Sequence, residues 1–227
     1  MTPADTALVV AAGAIVGFDT VSFPQAMLSR PIVAATLGGA IAGSASMGLL
    51  CGAILECFAL ETLPVGASRY PEWGSASLVG GALYADAPGG SAGALVMSVI
   101  IGLSGAWLGG WSMVRLRTLN AQRARRNHDA VASGDPRVIL GLQLSGLTAD
   151  LLRGGALTAL LLAISLPLRD IAARGWTQSP DSTRLTLGIA AVAVAAGAVW
   201  KHFSSVPNAK IIMLGAVVVS VALVFFA

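Results

Sequence analysis

Glu56 lies inside the apolar run 49–60, where an ionised carboxylate at the bilayer centre would cost about 2.5–3.5 kcal/mol. Gly52 and Gly48 precede it at intervals of four. The three therefore share one helical face, the narrow one that another helix or a ligand can approach. Glu56 is expected to point into protein: simply buried, paired with a neighbouring subunit, or offered to the hydroxyls of a bound molecule. A second concentration of donors and acceptors lies at 63–77, between two apolar blocks. There Arg69 and Glu72 can pair, Ser68 and Ser75 can donate or accept, and Trp73 offers an apolar plate with a free N–H. The same segment also reads as an interfacial loop anchored by Tyr70 and Trp73. Gln25 and Asn208 each carry a donor pair and an acceptor, which suits a neutral hydroxylated ligand better than an ion; capping or turn formation is the plainer use of both.

Other chemistries find little footing. His128 and His202 are the only histidines, and they do not form an H-x-x-x-H pair. The sequence holds no phosphate-binding loop of the G-x-x-x-x-G-K type and no dinucleotide fingerprint. Neither a catalytic residue nor a metal or other cofactor is therefore expected. Cys51 and Cys57, six apart, would diverge by about 120° on one helix, so both read as packing residues without a disulfide.

The elements that must position these residues are set by composition. Of 227 residues, 56% are hydrophobic and only 11% charged, and the mean hydropathy is +0.79; soluble domains carry about 25% charged residues. An ordinary soluble globule is excluded. The apolar runs are continuous and lack the period-two alternation of a barrel strand. The expectation is an all-α, polytopic integral membrane protein with about six to eight membrane-embedded helices, at roughly 20 residues per crossing. Some must be short or re-entrant. The run 7–18 is too short to cross and breaks into a segment with Pro24 and Pro31; 32–63 suggests two closely packed helices around a bend at 43–46. A further short piece ends at turn signals 86–90, and 91–114 is the cleanest span, with Trp107 and Trp111 placed for the headgroup interface.

Six of the fourteen basic residues fall between Arg115 and Arg137. This cluster is read as a cytoplasmic loop, by the positive-inside rule, rather than as a nucleic-acid site. Lipid headgroups or a cytosolic partner could also use it. Beyond it, 138–168 suggests one tilted span or a bent pair interrupted by Asp150 and Arg153, 169–184 a polar connection, and 185–200 and 211–227 two final apolar helices. No basic residue occurs among the first seven, so the N-terminus is expected to be retained. The breaks near the two ends share lettering, Ser22-Phe-Pro-Gln-Ala26 and Ser205-Val-Pro-Asn-Ala209. Paired interruptions of this kind point to a binding site and an inverted repeat in transporters.

Three stretches combine into a compound pattern: Ser29-Arg-Pro-Ile-Val-Ala-Ala-Thr-Leu-Gly-Gly39; Gly48-Leu-Leu-Cys-Gly-Ala-Ile-Leu-Glu56; and Leu63-Pro-Val-Gly-Ala67 followed by Pro71-Glu72. With it, residues 15–85 resemble the IIC subunit of the mannose/fructose/sorbose family of phosphotransferase-system sugar permeases. The resemblance implies one permease domain over 1–227 in the bacterial cytoplasmic (inner) membrane, with the Arg-rich loop at 115–137. It implies a membrane IID partner, a hexose substrate, and phosphorylation on entry by a cytosolic IIB fed by IIA. Assembly as an oligomer of IIC–IID units in membrane lipid is part of the same expectation. The chain would not be an enzyme by itself. Glu56, Gln25, Glu72, Ser75, Asn208 and Ser68 are the residues expected to bind sugar, and Glu56→Gln should cut uptake far more than membrane insertion. Many family members carry an acidic residue where this chain has Gly43-Ser44, and Pro-Asp where it has Pro71-Glu72, which leaves sugar identity open. A stand-alone secondary transporter of a small polar solute is the alternative, and a membrane scaffold is the non-transporting one.

Overall fold

The computed structural model describes residues 1–62 and 70–226, with side chains up to residue 219. Among the described residues all regular structure is helical. Helix α1 (Pro3–Asp19) starts with a reciprocal cap, in which Thr2 Oγ1 accepts from the Asp5 amide and the Asp5 carboxylate accepts from the Thr2 amide. Its continuation is broken by the turn that holds Pro24. Helix α2 (Pro31–Ile41) carries proline at its first position, where no N–H is required. Gly43, at φ +102°, makes the sharp bend into α3 (Ala45–Ala59), which Ser44 caps. A 3₁₀ turn extends α3 to Thr62. The expected close pair around a 43–46 bend is thus present, and Gly48 is its contact point: a Cβ there would lie 2.3 Å from the Ala35 carbonyl oxygen of α2.

Helix α4 (Trp73–Ala85) is the centre of the molecule. All residues from Gly74 to Tyr84 are buried, which explains why it lacks a polar face. Its small residues let neighbours approach to backbone contact: Gly81 meets Ala35 of α2, and Gly80 meets the Ser98 carbonyl of α5 (Ala92–Arg126). Helix α7 (Pro136–Gly175) closes the bundle against α1 and α5, and α6 (His128–Ala132) is a short link. At one end of the bundle, Asp86 pairs with both Arg169 of α7 and the N-terminal ammonium, tying α1, α4 and α7 together. Helix α8 (Pro180–Phe203) lies on α3, and α9 (Ala209–Phe226) follows with its described apolar residues largely exposed.

Among the described residues, four helical stretches are long and apolar enough to cross a membrane: 45–62, α5, α7 and α8. By contrast α1, α2 and α4 have 17, 11 and 13 residues, short of the roughly 30 Å hydrocarbon core at 1.5 Å per residue. Two expectations need correction. The segment 115–137 is not an open loop but the continuation of α5, the α6 link and the start of α7. Arg, Leu, Gln and Ala are good helix formers, and no breaker occurs before Asn127. Likewise 169–184 is not a long connection: α7 runs through Pro167 to Gly175, and only 176–179 separate it from α8. Polar residues at 169–174 mark a change of environment, not the end of a helix.

Candidate functional site

The end of α1 lies in a cluster of polar groups within an otherwise apolar bundle. Asp19, 1% exposed, accepts from the backbone N–H of Ala26 at 2.7 Å and of Ser29 at 3.0 Å, so its carboxylate folds the turn 20–30 back on itself. Glu56 fixes the far end of that turn. It pairs with Arg30 and accepts from the Ile32 amide at 3.1 Å, capping the positive end of α2. Its glycine-backed face meets α2, as its spacing with Gly52 and Gly48 required. Between these two anchors Gln25 sits at φ +59°, exposed, with Nε2 donating to the Val21 carbonyl at 3.1 Å.

Glu72 is fully buried. Oε1 accepts from the Ser75 amide at 3.0 Å, capping α4, and from Thr20 Oγ1 at 3.4 Å. Oε2 is buried with no hydrogen-bond partner among the described residues, an unusual state for a carboxylate oxygen. Three glycines clear the space around the group. A Cβ on Gly109 would lie 2.7 Å from Glu72 Cβ, and one on Gly74 or Gly17 would lie 3.0 or 3.6 Å from Oε1. Ser75, also buried, donates from Oγ to the Gly13 carbonyl at 3.0 Å and so bolts α4 to α1.

Helix α7 contributes the fourth acid and its cation. Arg153 Nε donates to Asp150 Oδ1 at 2.8 Å; the other two guanidinium nitrogens reach Ser112 Oγ at 3.3 Å and the Gly17 carbonyl at 3.2 Å. One guanidinium thus joins α7 to α5 and to the end of α1. The Ser22 hydroxyl donates to the other oxygen of Asp150. Asp150 and Ser22 also line a cavity of about 340 Å³ between α5 and α7. This volume falls in the small-ligand range. A second hollow, of about 510 Å³, lies on the outer face of α5, where the Arg115 guanidinium sits 5.1 Å from the centre of the Trp111 ring. Trp107 and Trp111 in that hollow are 77% and 56% exposed, as interfacial indoles are.

The structure brings Glu72 and Ser75 together and places Gln25 and Glu56 on or beside the turn next to them. Asn208 is not joined to the group. It lies in the exposed turn between α8 and α9 at φ +62°, and its carbonyl accepts from Ile211 and Ile212 to begin α9. Both amides of the shared Ser-x-Pro-amide-Ala lettering therefore occupy left-handed turn positions. Ser68 and Arg69 lie outside the described residues, and with them the Arg69–Glu72 pairing. Sequence reading passed over Asp19, Thr20, Ser22, Asp150 and Arg153 as site residues. For Asp19, Asp150 and Arg153 the signal was an ionisable group inside or at the edge of an apolar run; Thr20 and Ser22 offered none. Among the described residues no cluster of His, Cys, Asp and Glu has the geometry to hold a metal ion.

This arrangement has relatives. A solved structure described only as a membrane protein superimposes with a TM-score of 0.76 at 19% identity, covering 97% of this chain and 87% of its own. The mannose transporter ManYZ, solved in complex with microcin E492, matches with a TM-score of 0.58 at 20% identity and the same coverage. These likenesses concern the fold. No individual curated protein sequence matches significantly. The family model for the sorbose-specific IIC component of the phosphotransferase system matches residues 4–171, a stretch that runs from α1 into α7 and contains the whole polar cluster. The chain is a multi-pass membrane transporter subunit of a phosphotransferase sugar permease, and it belongs to the sorbose-specific IIC family.

Proposed function

We propose that the chain binds a hexose of the mannose/fructose/sorbose class at the cluster around Glu72 and carries it across the bacterial cytoplasmic membrane for phosphorylation by a cytosolic IIB, itself charged by IIA. The observation that carries this reading is the unpartnered Oε2 of Glu72 in its glycine cradle. A buried acceptor without a donor is destabilising by about 1–3 kcal/mol or more, and a sugar hydroxyl is the donor it lacks. Gln25, on the turn that Asp19 and Glu56 pin, supplies amide donors and an acceptor from the exposed side. Ser75 keeps its acceptor lone pairs. Glu56 acts through Arg30 and the turn, as a positioning residue. The family and the ManYZ likeness support a IID subunit as membrane partner, with IIC–IID units forming the oligomer in membrane lipid. The positive-inside rule places Arg115 to Arg137 in the cytoplasm, so the cavity beside Asp150 faces the side where phosphorylation occurs.

The test is phosphoenolpyruvate-dependent hexose uptake in vesicles that contain this chain, its IID partner and the soluble components. Accumulation of sugar phosphate only when the chain is present is the expected result. Uptake of free sugar without phosphoenolpyruvate would make the chain a stand-alone carrier instead.

A further inference from the structure

The hollow on the outer face of α5 is graded from apolar to cationic along the helix axis. Trp107, Trp111 and Arg115 recur at intervals of four and so form one stripe of the helix. Gly110 sets the opposite wall. A Cβ there would lie 2.6 Å from the Tyr70 carbonyl oxygen and 3.1 Å from Pro71 Cα, so a residue without a side chain lets the chain at 70–71 cross directly over α5 and leave a furrow beside the two indoles. The Tyr70 ring is fixed in turn by Arg117, whose Nη2 donates to Tyr70 Oη at 2.9 Å with the guanidinium 5.4 Å from the ring centre. Counted from Ala92, where α5 begins, roughly 20 residues cross the hydrocarbon, which brings the boundary close to Trp111. Trp107 then lies at acyl-chain level in the cytoplasmic leaflet. Arg115 stands about 12 Å farther along the axis at 1.5 Å per residue, at the level of the headgroups.

That cation has no counter-charge of its own. Arg30, Arg153 and Arg169 each pair with an acid, but among the described residues no carboxylate pairs with Arg115 or with the other four arginines of α5. Arg115 lays its guanidinium on the Trp111 ring, and its side-chain N–H donors make no hydrogen bond among the described residues. The negative charge must come from outside the chain.

We propose that this hollow is a site for one anionic phospholipid of the cytoplasmic leaflet, with its phosphate on the Arg115 guanidinium and an acyl chain laid along Trp111 and Trp107. Arginine suits the phosphate because its planar fork can give two parallel hydrogen bonds to phosphoryl oxygens. The five arginines of α5 favour a lipid of net negative charge over a zwitterionic one, which would bring its own cation into the same positive field. A partner helix seated in the hollow would bury Arg115 and would have to bring an acid to match it.

The test is quenching of tryptophan fluorescence in the full chain, reconstituted into phosphatidylcholine vesicles in which a minor share of the lipid is brominated on its acyl chains, either as phosphatidylglycerol or as phosphatidylcholine. Brominated phosphatidylglycerol is expected to bind about fivefold more tightly than brominated phosphatidylcholine, and the preference should vanish when Trp107 and Trp111 are both replaced by Phe. Arg115→Gln should bring the two lipids to near parity, whereas Arg115→Lys keeps a cation and should retain part of the preference. Arg126→Gln, about 16 Å farther along the helix and beyond a Debye length, should leave it within about twofold. Arg115 and Arg126 are both exposed, so folding is not at stake in these variants. Millimolar inorganic phosphate should not displace the lipid, because it brings no acyl chain to the indoles. In the IIC–IID complex the quenching that depends on Trp107 and Trp111 should persist. Equal quenching by the two lipids, a preference that survives Arg115→Gln or the paired Phe substitutions, an equal loss in Arg126→Gln, or displacement by phosphate would each overturn the proposal. So would disappearance of the quenching in the complex, which would give the hollow to a IID helix.

Discussion

Two carboxylates set the character of two neighbouring regions. Glu56, at the α2–α3 contact, is 18% exposed in its side chain, pairs with Arg30, and accepts from a helix N-terminus with its second oxygen. Both of its oxygens are occupied. Glu72, at the head of α4, is fully buried, and among the described residues one of its oxygens has no donor. A carboxylate that is fully satisfied within its own chain has little left to offer a ligand, whereas one that is half satisfied has an unmet demand that a ligand can fill. The difference teaches that charge inside an apolar run identifies a place worth inspecting, and that hydrogen-bond accounting decides which charge is free to work.

The substitution expected to have the largest effect is Glu72→Gln. It keeps shape but removes the charged acceptor, and uptake should fall by roughly 10- to 100-fold, the worth of a hydrogen bond to a charged group. The melting temperature should hold, because an amide oxygen can still accept from the Ser75 N–H and cap α4. Next comes Gly109→Ala. Its Cβ would fall 2.7 Å from Glu72 Cβ and 2.8 Å from Leu157 Cδ2, so overpacking of about 1–3 kcal/mol is expected, read as a lower melting temperature together with reduced uptake. Glu56→Gln should be milder. The partly exposed pair with Arg30 contributes about 1 kcal/mol or less, and a glutamine oxygen can still accept from Ile32; a severalfold fall in uptake is expected, and Arg30→Gln should not add to it in a double-mutant cycle. If Glu56→Gln proves more damaging than Glu72→Gln, the contrast between the two sites is broken. Smallest is Asn208→Gly. The residue is exposed at φ +62°, where glycine is at ease, and both stability and uptake should stay within about 0.5 kcal/mol of the parent.

The helical framework was legible where local chemistry decides it. Pro31 at a helix start, Gly43 at a bend and the turn at 86–90 fix the short helices, and the spacing of Gly48, Gly52 and Glu56 correctly announced a close contact. The contact's partner could not be read from that spacing. The polar cluster was less legible because it joins residues remote in sequence: Ser22 and Asp150 are 128 positions apart, and Gly17 and Arg153 are 136 apart. Periodicity speaks of one helix at a time and carries no information on which buried charge faces which. The arginine cluster misled in another way. Its charge pattern was read as loop, although arginine is as comfortable in a helix as leucine.

The central claim, that the hexose meets the chain at Glu72 rather than at Glu56, is tested most directly by measuring hexose affinity of the IIC–IID complex carrying each glutamine substitution. The expected result is at least about tenfold weaker binding for Glu72→Gln and a change of less than about threefold for Glu56→Gln. Unchanged affinity in Glu72→Gln, or the reverse order of the two, would contradict it.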